Sequence, residues 1–139
     1  MPMITYRVGN DLSVDAVIGL LQASTLAARR PVDDPSIIAD MIRNAQLIVT
    51  AWDGDRLVGF ARTLTDFSYV GYLSDLAVDT AYQRQGIGQQ LIEKTREQMG
   101  PRSFLVLLSA PAAVDYYPRI GFQPHPSAWV LRHAEPLKP

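Results

Sequence analysis

One stretch constrains this chain more than any other. A strand-like run, Leu76-Ala77-Val78, passes through Asp79-Thr80-Ala81-Tyr82 into Gln83-Arg84-Gln85-Gly86-Ile87-Gly88, where an amphipathic helix begins. The first amides of a helix have no partner inside it, and the macrodipole adds partial positive charge there. Gly86 and Gly88 let a ligand approach the backbone closely. Gln83, Arg84 and Gln85 add side-chain donors. Such a fan of donors suits an anion with many acceptor oxygens, a diphosphate before a carboxylate. Two named alternatives fail on sequence. A dinucleotide fingerprint needs a third small residue where Leu91 stands, and a P-loop needs Gly-Lys-Ser/Thr where Gly88-Gln89-Gln90 stands. A bare glycine-flanked helix start that binds nothing stays open at this point.

The flanking sequence reads as alternating helices and strands. Thr5 to Val8 fits a short strand, Ser13 to Thr25 a helix with Ser13 as its cap, and Ser36 to Ala45 a second helix beyond a polar loop with two prolines. Leu47 to Trp52 and Leu57 to Leu64 flank Asp53-Gly54-Asp55, a hairpin signal. Tyr69 to Val78 predicts another strand, and Gly86 to Met99 a helix stopped by Gly100-Pro101. Phe104 to Leu108 is continuously apolar and predicts a strand buried on both faces. Ala112 to Ile120 predicts a short helix, and Ala128 to Leu131 a last strand. Trp52 and Trp129 read as core or edge packing. The expected class is α+β, with residues 1–139 forming a single domain.

Composition narrows the chemistry. There is no cysteine, so a thiol nucleophile, disulfides and thiolate metal sites are excluded. His125 and His133 are the only histidines, which leaves no histidine-rich metal site. A net charge of -1 gives no general grip on nucleic acid or an anionic membrane, so any anion site is local. The start of the chain lacks the basic and apolar pattern of a signal peptide, and the expected location is cytoplasmic.

The pattern Gln/Arg-x-x-Gly-x-Gly, after a strand ending Leu-x-Val and before an amphipathic helix, resembles the acyl-CoA site of the GNAT superfamily of N-acetyltransferases. A second segment, Ala113-Val114-Asp115-Tyr116-Tyr117-Pro118-Arg119-Ile120-Gly121-Phe122, is similar to that family's Ala-x-x-aromatic-Tyr-x-x-x-Gly-Phe run. The hairpin around Gly54 matches as well. Two separated motifs in the right order are far more specific than either alone. The likeness also extends to compact bacterial and plastid-type GNAT enzymes.

The resemblance implies a three-layer α/β/α sandwich whose mixed, mostly antiparallel and twisted sheet has two central strands splayed apart. It implies acetyl-CoA as co-substrate and no metal. Leu76, Ala77 and Val78 would border the pantetheine arm, with backbone groups of Leu76 and Val78 pairing to it like an added strand. The amides from Gln83 to Gly88, Ile87 included, would hold the pyrophosphate. A backbone amide on the central strand would polarise the thioester carbonyl. Tyr117 falls on the family's tyrosine, which stabilises the leaving thiolate. The family's Asn position is Ala110 here.

Family positions for a general base fall on Ser74 and Tyr72, neither of them basic. Asp75 is the remaining candidate, one residue off. Strand alternation turns it to the other face unless a bulge intervenes, which favours a structural acceptor. Asp33 and Asp34, in a loop that borders the acceptor pocket in relatives, are candidates to attract an amine, against a solvated loop. The implied reaction is direct attack of a primary amine, from a small molecule, peptide or lysine, on the thioester. A non-catalytic acyl-CoA sensor of the same fold is the alternative. Homodimers are common among relatives.

Overall fold

The computed structural model describes residues 2–139. The chain divides into two compact units, one ending at Leu108 and the other running Ser109–Pro139.

The first unit runs β1 (Ile4–Val8), α1 (Val14–Ala23), a 3-10 turn (Leu26–Arg29), α2 (Pro35–Asn44), β2 (Leu47–Asp53), β3 (Arg56–Thr65), β4 (Val70–Val78), a 3-10 turn (Thr80–Tyr82), α3 (Ile87–Glu97) and β5 (Phe104–Val106). Local chemistry sets several boundaries. The Ser13 side chain accepts from the Ala16 amide at 3.2 Å and caps α1. Asp34 accepts from the Ser36 amide at 3.1 Å, with Pro35 at the first position of α2, where a missing N–H is harmless. Asp34 is thus engaged in capping, and bonding to Ser36 holds its carboxyl below the usual range. The polar loop with two prolines expected ahead of the second helix is present, preceded by the 3-10 turn and with Pro35 taken into α2.

The sheet order is β1-β2-β3-β4-β5; the first four strands pair antiparallel and β5 joins β4 in parallel. Cross-strand partners share a face. Ile48, Leu57, Phe60 and Ala77 therefore join Val17, Leu20, Leu21, Ile38 and Ile42 in one core beneath α1 and α2. Gly59 lies on the opposite face, where an added Cβ would stand 2.9 Å from Ala51 Cβ and 3.0 Å from Leu91 Cδ1 of α3. Helix, sheet and helix make three layers.

Two bulges redirect the strands. The β2–β3 register skips Val58, and the β3–β4 register passes from Arg62↔Asp75 to Thr63↔Leu73, skipping Ser74. Arg62 and Thr63 are neighbours on an otherwise regular strand and face opposite ways. Their partners Asp75 and Leu73 do the same, although two residues apart. The bulge thus places Asp75 on the α1–α2 face together with Tyr72, the partner of Leu64.

Three expectations fail. The run from Phe104 forms a strand only to Val106, and Phe104 and Val106 are 49% and 40% exposed, because β5 is an edge strand rather than a central one. In the second unit, the expected helix from Ala112 to Ile120 is two pieces, a 3-10 turn (Pro111–Ala113) and α4 (Tyr116–Arg119). Pro118 cannot donate to the Val114 carbonyl, and its ring crowds that group. Ala128 to Leu131 is not a strand, since no ladder partner meets it among the described residues, and Trp129 is 89% exposed rather than packed.

Candidate functional site

β5 pairs with β4 only through Val70, Gly71 and Tyr72. From Leu73 to Val78 the same edge of β4 has no strand partner among the described residues. This is the opening that splayed strands create. Leu76 and Val78 are half-buried on the α3 face, opposite Ala61 and Gly59. Ala77 is buried and points into the α1–α2 core, so only its backbone can face the opening.

The segment beyond β4 is held at its start and open at its end. The Asp79 amide donates to Val58 O at 2.9 Å, and the Asp79 carboxylate caps the Ala81 amide at 2.9 Å. Gln83 Nε2 donates to Val78 O at 3.1 Å, so this side chain closes the turn. Arg84 and Gly86 then adopt left-handed backbone, φ 64° and 80°, on either side of Gln85. Left-handed residues among right-handed ones turn consecutive amides to one side, a concavity that fits anions. Among the described residues, the amides from Arg84 to Gln89 have no protein acceptor; the first helical bond is Gln90 N to Gly86 O, 3.0 Å. Arg84, Gln85 and Gly86 are exposed and Gly88 is half-buried, whereas the Ile87 side chain is buried and anchors the helix below. An added Cβ at Gly86 meets nothing within 4 Å, so its backbone angle, not crowding, requires glycine. Backbone donors, Arg84 and the helix dipole are here combined without an acid side chain between them.

Asp75 is the opposite case. It is 1% exposed. Arg30 Nε donates to one carboxylate oxygen, and Arg62 Nε donates to the other at 2.5 Å. The same two guanidiniums grip the bulge: Arg30 Nη2 donates to Ser74 O at 2.6 Å and Arg62 Nη2 to Ser74 Oγ at 2.8 Å. Both Asp75 oxygens are therefore engaged by guanidiniums in a buried cluster. Arg30 and Arg62 escaped the sequence reading. The available signal was Arg62 itself, a charge within a buried strand that had to find a partner.

In the second unit Tyr117 is half-buried, its ring 5.3 Å from Tyr116 and 5.4 Å from Phe122, both edge-on. Gly121, φ 110°, lets the chain fold back so that the Phe122 amide donates to Tyr117 O at 3.0 Å. Burial pushes the Tyr117 phenol up, with the Tyr116 charge adding to the effect. It stays protonated at neutral pH and can act as a donor. Asp33 is exposed, in keeping with a solvated loop. Among the described residues no group of three or more acidic or histidine side chains is placed to hold a metal, and no helix is long and apolar enough to cross a membrane.

A family model described as the acetyltransferase (GNAT) domain matches residues 27–132. The chain belongs to the GNAT family. It is 34% identical over 73 residues to a histone acetyltransferase, TAP1, of Glycine max, a match spanning 51% of this chain and 32% of that protein. The chain thus spans about a third of this curated relative's length. A GNAT-family acetyltransferase from Streptococcus pneumoniae superposes with a TM-score of 0.69 at 24% identity, covering 94% of this chain and 99% of that one. The aminoglycoside N-acetyltransferase AAC(6')-Iy, solved with CoA, superposes with a TM-score of 0.74 at 17% identity, covering 96% and 97%. These likenesses establish the fold.

Proposed function

We propose that this chain is an N-acetyltransferase that binds acetyl-CoA and transfers the acetyl group to a primary amine by direct attack. The observation that carries the reading is the set of acceptor-free amides from Arg84 to Gln89 beside the partnerless edge of β4. The amides would take the pyrophosphate. Backbone groups of Leu76 and Val78 would pair with the pantetheine arm as an added strand, with Ala77 contributing through its backbone alone. Both units belong to one domain in this reading, supported by a family match that crosses from the first into the second.

Only a neutral amine is nucleophilic, so the incoming ammonium must lose a proton. Both oxygens of Asp75 are engaged by guanidiniums, which leaves water as the carrier of that proton. Tyr117, protonated and on the family's tyrosine position, would donate a hydrogen bond to the departing thiolate. A phenol with a raised pKa stabilises such a thiolate better than it fully protonates it. The acceptor is a small amine or a peptide or lysine amine; the named relatives include enzymes described for histones and for aminoglycosides.

The test is calorimetric titration with CoA, paired with thiol release from acetyl-CoA over an amine and peptide panel. Gly86→Glu is expected to abolish CoA binding, and Tyr117→Phe to lower turnover with affinity retained. No heat of CoA binding to the wild-type protein overturns the reading. CoA binding without thiol release from any amine identifies a sensor instead.

A further inference from the structure

The proposed diphosphate loop is tied to a distant hairpin. β2 and β3 turn through Gly54 and Asp55, and the residues flanking that turn reach across to the segment after β4. The Tyr82 hydroxyl donates to Asp53 Oδ2 at 2.5 Å, and Arg56 Nη2 donates to Asp79 Oδ2 at 2.9 Å. The Arg56 guanidinium also lies 5.3 Å from the centre of the Tyr82 ring. The Tyr82 amide donates to Asp79 O at 2.8 Å. Four side chains thus form one connected unit whose last member immediately precedes Gln83.

We infer that Asp53, Arg56, Asp79 and Tyr82 are positioning residues that preorganise the anion loop. This rests on the diphosphate reading of Gln83 to Gly88. Two arguments support it. A loop that closes on a diphosphate must lose backbone freedom, and freedom already removed in the free protein does not weaken binding. The loop also needs two residues in left-handed backbone, one of them Arg84, a conformation that side chains disfavour unless their neighbours hold it. The unit has a second consequence for charge. Asp79 lies four residues before Gln83, and Asp53 is joined to the same segment through Tyr82; a bare carboxylate beside an anion site repels phosphate. Asp79, its side chain 6% exposed, is paired with Arg56, and Asp53 accepts a hydrogen bond from the Tyr82 hydroxyl. Tyr82 itself is half-exposed at the protein surface, so loss of its hydroxyl leaves the core intact.

The experiment titrates CoA, and 3'-phospho-ADP as a probe with the diphosphate but no pantetheine, into wild type, Tyr82→Phe, Asp53→Ala and Asp53→Asn. Backbone NMR order parameters across residues 83–88 and the melting temperature are measured on the same free proteins. Tyr82→Phe and Asp53→Ala are expected to raise Kd for both probes by the same factor, about three- to tenfold. Order parameters across the loop should fall while the melting temperature holds. Asp53→Asn keeps an acceptor oxygen and should restore wild-type affinity to within about twofold. Unchanged Kd in Tyr82→Phe, or a loss confined to CoA, overturns the positioning role while leaving the site in place. Wild-type protein that binds neither probe overturns the site, and the positioning role with it.

Discussion

Asp75 and the Arg84–Gln89 segment follow one another within a single strand-turn-helix run, and both collect hydrogen-bonding groups, yet their accounts differ. At Asp75 each carboxylate oxygen has a guanidinium, and the bulged Ser74 next to it has both its oxygens taken. At the start of α3 consecutive amides have no protein acceptor among the described residues. In the function proposed above, the difference separates a scaffold from a site. Buried polar groups must be satisfied internally, so a closed cluster holds shape and has little left to offer a ligand. Donors left open at the surface retain their capacity and sit where a ligand can use it. A charged residue in a family-active region is therefore not by itself a reacting group.

The largest effect should come from breaking the closed cluster. Asp75→Ala leaves Arg62, its side chain 9% exposed, without its partner and should lower stability by about 3–5 kcal/mol in urea unfolding. An Asp75→Asn protein of unaltered stability that loses the acid limb of its pH–rate profile would make Asp75 a proton acceptor and dissolve the contrast.

Glycine offers a sharper version of the same comparison. In Gly59→Ala, the new methyl would meet Ala51 and Leu91 inside normal contact distance, which should cost about 1–3 kcal/mol of stability. Its CoA affinity, measured well below the melting transition, should stay near wild type. Gly86→Ala meets no neighbour but strains a positive φ, at about 1–2 kcal/mol. Here the loss should appear in CoA affinity as well, since the strained residue carries the donors. Equal affinity losses at the two glycines would show that they share one role.

The smallest effect concerns the β3–β4 turn. Asp66 Oδ1 accepts from the amides of Ser68, Tyr69 and Val70, and those bonds hold its carboxyl below the ordinary range. A folded pKa below the unfolded value means a contribution complete above about pH 4 and lost as pH falls through the folded value. The group is exposed, so the gain is small. The melting temperature of Asp66→Ala should lie slightly below wild type at pH 7, and the gap should narrow and then close as the carboxylate is protonated in acid. A gap that persists there would assign the turn to something other than the carboxylate.

Much of the fold was legible because it is local. Ser13 caps α1, Gly54 bends the hairpin and Gly86 starts α3, each through chemistry contained in a few neighbouring residues. Tyr117 and Phe122 are likewise brought together by a glycine between them. The candidate anion loop was found for the same reason. The Ser74 bulge, the Arg30–Asp75–Arg62 cluster and the link from Tyr82 to Asp53 were not legible, since their partners lie far off in sequence.

Periodicity, caps and glycines determined by themselves where α1, α2 and α3 fall, because backbone preferences act within one or two turns of chain. Which apolar strand lies at an edge was decided only in three dimensions. Phe104 to Leu108 reads as central, yet Phe104 to Val106 forms the border of the sheet, because strand order depends on partners that hydrophobicity does not name. The surroundings of Asp75 were decided in the same way. Its chemistry is that of any carboxylate until the fold delivers two guanidiniums to it.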